Sequence, residues 1–344
     1  MNVVIMAGGK GTRFWPRSVE SVPKQFLSFI TSETLLQQTV ARFRKLVPEN
    51  RLFIAAPSIY MPIISSQLPG FRPEQTIIEP EQKDTAAAIA FTAHSMLARD
   101  DDAPIVFVPA DQFIHNEFRF LAAIDRAAQA AQEPRAIVTL GIRPSRPDTG
   151  FGYMELEALP LSDYEAPDAD FHVHRVARFL EKPDAATAVQ LLSKPNVLWN
   201  SGIFVWRPST IAYHIALSAP QLWKPLEDYP DNPSSAYAAM PKLSIDYAVM
   251  EKAESIWCIP VDCGWDDIGS WSAFRRHMPQ DSSGNVQQGP VRLVDSEGNT
   301  IYAETETLLI GVSDLIVVST AHGLLVCHRS EEPRLKYWIN QSSR

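Results

Sequence analysis

Residues 5–18, IMAGGKGTRFWPRS, place three glycines, one lysine and two arginines directly behind an apolar run. Glycine lets a backbone approach a ligand closely, and its N–H groups can then cradle phosphate oxygens. Between Met1 and Ile30 the charged residues are four cations, Lys10, Arg13, Arg17 and Lys24, and one carboxylate, Glu20, in a chain of net charge −9. Cations gathered against the sign of the whole suit a small polyanion such as a triphosphate. Two phosphate motifs do not fit. G-x-G-x-x-G would need glycine where Phe14 stands, and the P-loop needs Ser or Thr where Gly11 follows Lys10. Read alone, the stretch is also compatible with a purely structural turn.

A loop of this kind needs a strand before it and a helix after it. NVVIMA (2–7) reads as a buried strand and TLLQQTVARFRKL (34–46) as an amphipathic helix. RLFIAA (51–56), QTIIEP (75–80), APIVFVPAD (103–111) and AIVTLGI (136–142) continue the strand series. DTAAAIAFTAHSMLAR (84–99), with Asp84 as N-cap, and a stretch over roughly 117–132 supply helices between them. Strands alternating with helices predict an α/β fold, a doubly wound and mostly parallel sheet whose ligands bind at the carboxyl ends of the strands. HRVARFLEKP, NSGIFVWR and IWCIPVD read as further strands of that sheet or of an excursion from it. Helical patterns near 184–193 and 244–254 separate them. After about residue 281 helix signals stop, and short apolar β runs recur at roughly eight-residue spacing, as in a β-roll or a few β-helix coils. The expected domains are therefore 1–280 and 281–344.

The 344 residues suffice for a large core, and 45% hydrophobic with 21% charged residues is ordinary for a globular protein. The acidic balance argues against general nucleic-acid binding, which selects basic surfaces. No apolar run is long enough to suggest a membrane span, and no basic segment precedes the first one as in a secretory signal. Three cysteines, Cys258, Cys263 and Cys327, fit neither a zinc site nor a disulfide framework, so reduced thiols and a cytoplasmic setting are expected.

The opening stretch with PKQFL (23–27) is followed in order by EPEQKDTAAAIA (79–90), VPADQFI (108–114), TGFGYMEL (149–156) and FLEKP (179–183). WNSGIFVW (199–206), SIDYAVMEK (244–252) and GWDDIGSW (264–271) complete the series. Together these blocks resemble the sugar-phosphate nucleotidylyltransferases, and more narrowly the bacterial mannose-1-phosphate guanylyltransferases. The resemblance implies a nucleotidylyltransferase domain with a small, left-handed β-helix-like C-terminal tail. It implies transfer of GMP from GTP to α-mannose 1-phosphate, with Mg²⁺ as cofactor and pyrophosphate as the leaving group. In that pattern Gly8, Gly9, Gly11 and Thr12 line the nucleotide, Arg13 and Lys24 contact the triphosphate, and Glu79 and Thr85 are candidates for the base. Lys182 would meet the sugar phosphate, Glu181 the sugar hydroxyls, and Asn200 and the backbone of Gly150 would complete the pocket. Asp111, at the end of its strand, and Asp267, selected by the W-x-D-x-G spacing, would hold the metal, while the role of Asp266 stays open.

Each block has a plainer reading. Asp111 could cap a helix or turn, Glu181 and Lys182 could be a solvated pair, and Asn200 could form a turn. Lys83 and Asp84 stand where the family more often has arginine and asparagine, and Gln112 where histidine is frequent. His172 and His174 alternate on a presumed strand and read as exposed; His94 reads as packing; and Trp199, Trp206, Trp257, Trp265 and Trp271 are compatible with lining a sugar pocket, with core or domain-interface packing explaining most of them equally well. Competing functions are a nucleotidylyltransferase for another sugar 1-phosphate or nucleotide, a silent regulatory subunit, and a glycosyltransferase. Retention of Arg13, Lys24, Asp111 and Asp267 argues against the silent subunit. The length leaves no room for a further phosphomannose isomerase domain, and the apolar tail predicts a homodimer.

Overall fold

Uninterrupted apolar runs bury a strand on both faces, and Val3, Val4 and Ile5, the centre of the first such run, are fully buried. The computed structural model describes residues 1–9, 11–161 and 171–342; Lys10, one of the four clustered cations, lies outside them. The strands in chain order are β1 (Asn2–Met6), β2 (Leu52–Pro57), β3 (Thr76–Glu79), β4 (Ile105–Pro109), β5 (Gln112–Phe113) and β6 (Ile137–Ile142). Next come β7 (Tyr153–Pro160), β8 (His174–Leu180), β9 (Val197–Trp206), β10 (Ile256–Pro260) and β11 (Asp266–Asp267). The C-terminal strands are β12 (Val286–Gln288), β13 (Val291–Val294), β14 (Thr300–Ala303), β15 (Thr307–Ile310), β16 (Leu315–Thr320) and β17 (Gly323–His328). They fall into two compact units.

The first unit is Met1–Gly8, Val40–Pro109 and Ile114–Trp265. Its nine-stranded sheet has the order β3-β2-β1-β4-β9-β6-β10-β8-β7. Pairing is parallel across β3, β2, β1 and β4 and between β6 and β10. Only β9 and β8 run against the other seven strands. The strands after residue 150 thus belong to the main sheet, and β9 enters it antiparallel between β4 and β6. Helices Thr85–Leu97, Pro208–Ser218 and Pro220–Asp228 share one apolar core with Phe107, Phe204 and Trp206 of the sheet. Asp84 caps the first of these, its carboxylate accepting from the Thr85 N–H at 2.8 Å. His94 on that helix packs 6.0 Å from Trp223. His172 and His174 are half-buried rather than exposed; His174 opens β8, which lies inside the sheet between β10 and β7, and His172 precedes that strand.

The second unit is Gly9–Thr39, Ala110–Phe113 and the chain from Asp266 onward. Here β12, β14 and β16 stack in parallel, with β13 on β15 as a second pair, so successive coils lie over one another. Asn285 and Asn299 form an internal ladder: the Asn285 Oδ1 accepts from the Asn299 N–H, and the Asn299 Oδ1 from the Leu315 N–H. The coils end in a hairpin, β17 folding antiparallel onto β16. A helix, Leu335–Ser342, then follows, contrary to the expectation that helix signals stop; eight residues, about two turns, are too short a run to announce it. Its Leu335 is buried and Ile339, one turn on, packs against the same core. That core joins Phe14, Phe29 and Leu35 to Ile268, Trp271, Phe274, Val286, Ile316, Val318 and Leu325. No helix among the described residues is long and apolar enough to cross a membrane.

Candidate active site

In the second unit the cation cluster divides by role. Arg17 is buried, its guanidinium 4.6 Å from the Phe29 ring centroid and 4.0 Å from that of Tyr302. That is a packing role, with the charged guanidinium turned to aromatic rings rather than to a ligand. Arg13, on the short turn Thr12–Phe14, is exposed. Lys24 is 5% exposed, and its ammonium lies 2.9 Å from Asp111 Oδ2 and 2.8 Å from Asp267 Oδ1. Its third hydrogen goes to the Ile268 carbonyl at 2.8 Å. Burial pulls the Lys24 pKa down, but the charges of Asp111 and Asp267 together outweigh it and hold the ammonium above its ordinary range.

Glycines make this convergence possible. Gly11 adopts φ +59°, and a Cβ there would fall 2.8 Å from the Lys24 backbone nitrogen. A Cβ on Gly269 would fall 2.8 Å from Asp267 Oδ2 and 3.3 Å from Arg13 Nη2, so only glycine lets both side chains approach. Asp111 precedes β5 and Asp267 ends β11; the two strands pair antiparallel, Asp267 opposite Gln112. The ribbon therefore brings together carboxylates more than 150 residues apart in the chain. Gly9 is exposed, its carbonyl accepting from Gln25 Nε2 at 2.9 Å.

In the first unit the predicted sugar-phosphate residues group around Glu181. This carboxylate is buried and 2.6 Å from Lys182 Nζ, whose side chain is exposed, so the pair is solvated on the lysine side only. Asn200, also buried, donates from Nδ2 to Asp246 Oδ1 at 3.2 Å and accepts at Oδ1 from Thr139 Oγ1 at 3.1 Å. Gly150 is exposed and turns its N–H to Asp148, whereas Gly152 lies in the group. A Cβ on Gly152 would come within 2.6 Å of Glu181 Oε2, and its carbonyl accepts from the Asn200 N–H.

Asp246 escaped the sequence reading. It opens a single π-helical turn, Asp246–Met250, and such turns often mark functional sites. Burial, with the Glu181 charge beside it, pushes its carboxyl up to about 7 against the pull of Lys182. The signal available was its place in SIDYAVMEK, one of the family-like blocks. Phe151 packs on Trp199 and Trp265 at 5.0 and 5.4 Å, while Trp206 is core.

The base candidates lie elsewhere in the same unit. Glu79 is 6% exposed, and its Oε2 accepts from the Tyr237 hydroxyl at 2.7 Å. Burial pushes its carboxyl up to about 7. Gly8 lies beside it, because a Cβ there would be 3.2 Å from Glu79 Oε1, and the Gly8 carbonyl accepts from Gln82 Nε2 at 3.0 Å. The Thr85 hydroxyl accepts from the Ile245 N–H at 2.9 Å.

A model of the nucleotidyl transferase family matches residues 2–284, and a MannoseP isomerase/GMP-like β-helix domain matches residues 289–337. With the mixed sheet and stacked coils already described, this settles the class: the chain belongs to the nucleotidyl transferase family, and its chemistry is nucleotidyl transfer. Within that class it is similar to the mannose-1-phosphate guanylyltransferase of Escherichia coli, 33% identical over 97% of this chain and 72% of the relative. The xanthan biosynthesis protein XanB of Xanthomonas campestris is 33% identical over 98% of this chain and 72% of its own. A crystal structure from Thermus thermophilus, described as a mannose-1-phosphate geranyltransferase, matches with a TM-score of 0.88 at 30% identity. That match covers 100% of this chain and 99% of the other.

Proposed function

We propose that this protein transfers the GMP group of GTP to α-D-mannose 1-phosphate, giving GDP-mannose and pyrophosphate. A sugar-phosphate oxygen forms the new bond to the α-phosphorus as the bond from that phosphorus to the pyrophosphate oxygen breaks in line. The observation that carries the reading is the meeting of Asp111 and Asp267 on one buried ammonium, Lys24. The relatives named for this reaction support the substrate pair.

The donor set fits Mg²⁺. Asp111 and Asp267 are brought together beside Lys24, and Mg²⁺ characteristically takes one or two carboxylates and completes its shell with phosphate oxygens and water. Bound there, the metal would neutralise charge developing on the phosphates. Arg13 steadies charge on the departing pyrophosphate, and Lys24 offsets the triphosphate and the paired aspartates. Lys182 binds the phosphate of the sugar phosphate, while Glu181 and Asn200 orient the sugar. Catalysis is then alignment and charge neutralisation, with no covalent enzyme intermediate. The reading assigns residues 1–280 to nucleotidyl transfer and 281–344 to the coiled tail.

The test is pyrophosphate release by the purified protein with Mg²⁺, crossing GTP, ATP, UTP and dTTP against mannose, glucose and heptose 1-phosphates. Release chiefly with GTP and mannose 1-phosphate is expected. Another preferred pair would keep the mechanism and replace the substrates. Silence from the folded protein in every combination would overturn the reading.

A further inference from the structure

The two strands of the β5–β11 ribbon are only two residues long, yet the first directly follows Asp111 and the second carries Asp267. Neighbouring strand residues point to opposite faces. Asp267 meets Lys24; Asp266 therefore points away from it, and there it is clamped. Arg276 donates to Asp266 from Nε at 2.9 Å and from Nη2 at 2.7 Å, and His277 Nε2 lies 2.8 Å away. The His277 ring also packs 4.4 Å from Phe113, the register partner of Asp266. Arg276 and His277 end the helix Trp271–His277, which buries Trp271 and Phe274 in the core and holds Phe14, the neighbour of Arg13, at 5.0 Å from Trp271.

Two paired residues cannot hold a ribbon by their own hydrogen bonds. We infer that Asp266 is a positioning residue: through Arg276 and His277 it fixes the ribbon to this helix and so sets Asp267 against Asp111. This rests on the two aspartates being the metal pair, and it goes beyond it by giving Asp266 a separate task on the opposite face.

The experiment compares the wild-type protein with Asp266→Ala, Asp266→Asn and Arg276→Gln. GTP binding is measured by calorimetry with and without Mg²⁺, and the KM for mannose 1-phosphate is measured in parallel. Removing partners that orient metal ligands typically costs 10–100-fold in metal affinity or activity. Asp266→Ala and Arg276→Gln should therefore shrink the gain in GTP affinity from Mg²⁺ by at least about tenfold. The KM for mannose 1-phosphate should stay within about twofold of wild type, and Asp266→Asn, which keeps an acceptor for Arg276, should recover part of the loss. Hydrogen exchange over residues 110–113 and 265–269 should rise in both damaged variants, whatever nucleotide the enzyme uses. Arg276→Gln reads the same clamp from its more exposed side if Asp266→Ala does not fold. Wild-type Mg²⁺ dependence with unchanged exchange in the ribbon would overturn the inference. So would losses spread equally over Mg²⁺ response, sugar-phosphate KM and melting temperature. A wild-type protein that binds no nucleotide refutes the proposed function instead, and the exchange measurement still decides the clamp.

Discussion

Lys24 spends all three of its hydrogens inside the protein, two on aspartates and one on a carbonyl, so Asp111 and Asp267 are held close without repelling each other. Asp111→Asn keeps the shape and removes one charge from this balance. Turnover should fall by at least about 100-fold, the several kcal/mol expected of a lost metal ligand, and near-wild-type turnover would refute the metal assignment. Glu79 makes a different prediction. Its carboxyl is raised from 4.5 to about 7, so the cost of burying it is absent below about pH 4.5, grows between there and about pH 7, and is constant above. Glu79→Gln should melt like the wild type near pH 4.5 and above it at pH 8.5, by at most about 3 kcal/mol of stability. A gap independent of pH would contradict this. These residues differ in how legible they were. Asp111, Asp267 and Lys24 stand in blocks whose chemistry is visible one letter at a time, whereas Asp246 shows its importance only once folding sets it beside Glu181 and Asn200.

At the scale of elements, most strands and helices of the first 150 residues were legible because each carries one clear period, either an unbroken apolar run or a three-to-four repeat; the short helix Met61–Gln67 was not. The ribbon of β5 and β11 was not, since two residues have no period. Nor was the antiparallel entry of β9, which depends on tertiary pairing rather than local pattern. Glycines at element junctions offer a sharp test. Gly152→Ala drives a methyl toward Glu181 Oε2 and should raise the KM for the sugar phosphate several-fold while sparing GTP binding. Gly269→Ala drives one toward Asp267 and Arg13 and should instead lower kcat by at least about tenfold with the sugar-phosphate KM little changed. Reversal of these two effects would mean the two groups of residues have been assigned to the wrong substrates.

For the whole molecule, the core joining Phe14, Phe29 and Leu35 to Ile316, Val318 and Leu325 makes the C-terminal coils part of the scaffold behind Arg13 and Lys24. Removing residues 281–344 should therefore abolish pyrophosphate release and leave an aggregating chain, as gel filtration and circular dichroism would show; a monomeric, active truncation would refute this. Ile316→Ala should cost about 2–5 kcal/mol through its cavity, checked by denaturant unfolding. During synthesis the same feature imposes a wait. Phe14 leaves the ribosome some 300 residues before Ile316, about 15–60 seconds at ordinary elongation rates. For that interval Phe14 can meet Phe29 and Leu35 but not Ile316, Val318 or Leu325, so the packing behind one of the earliest segments made is completed only as synthesis ends.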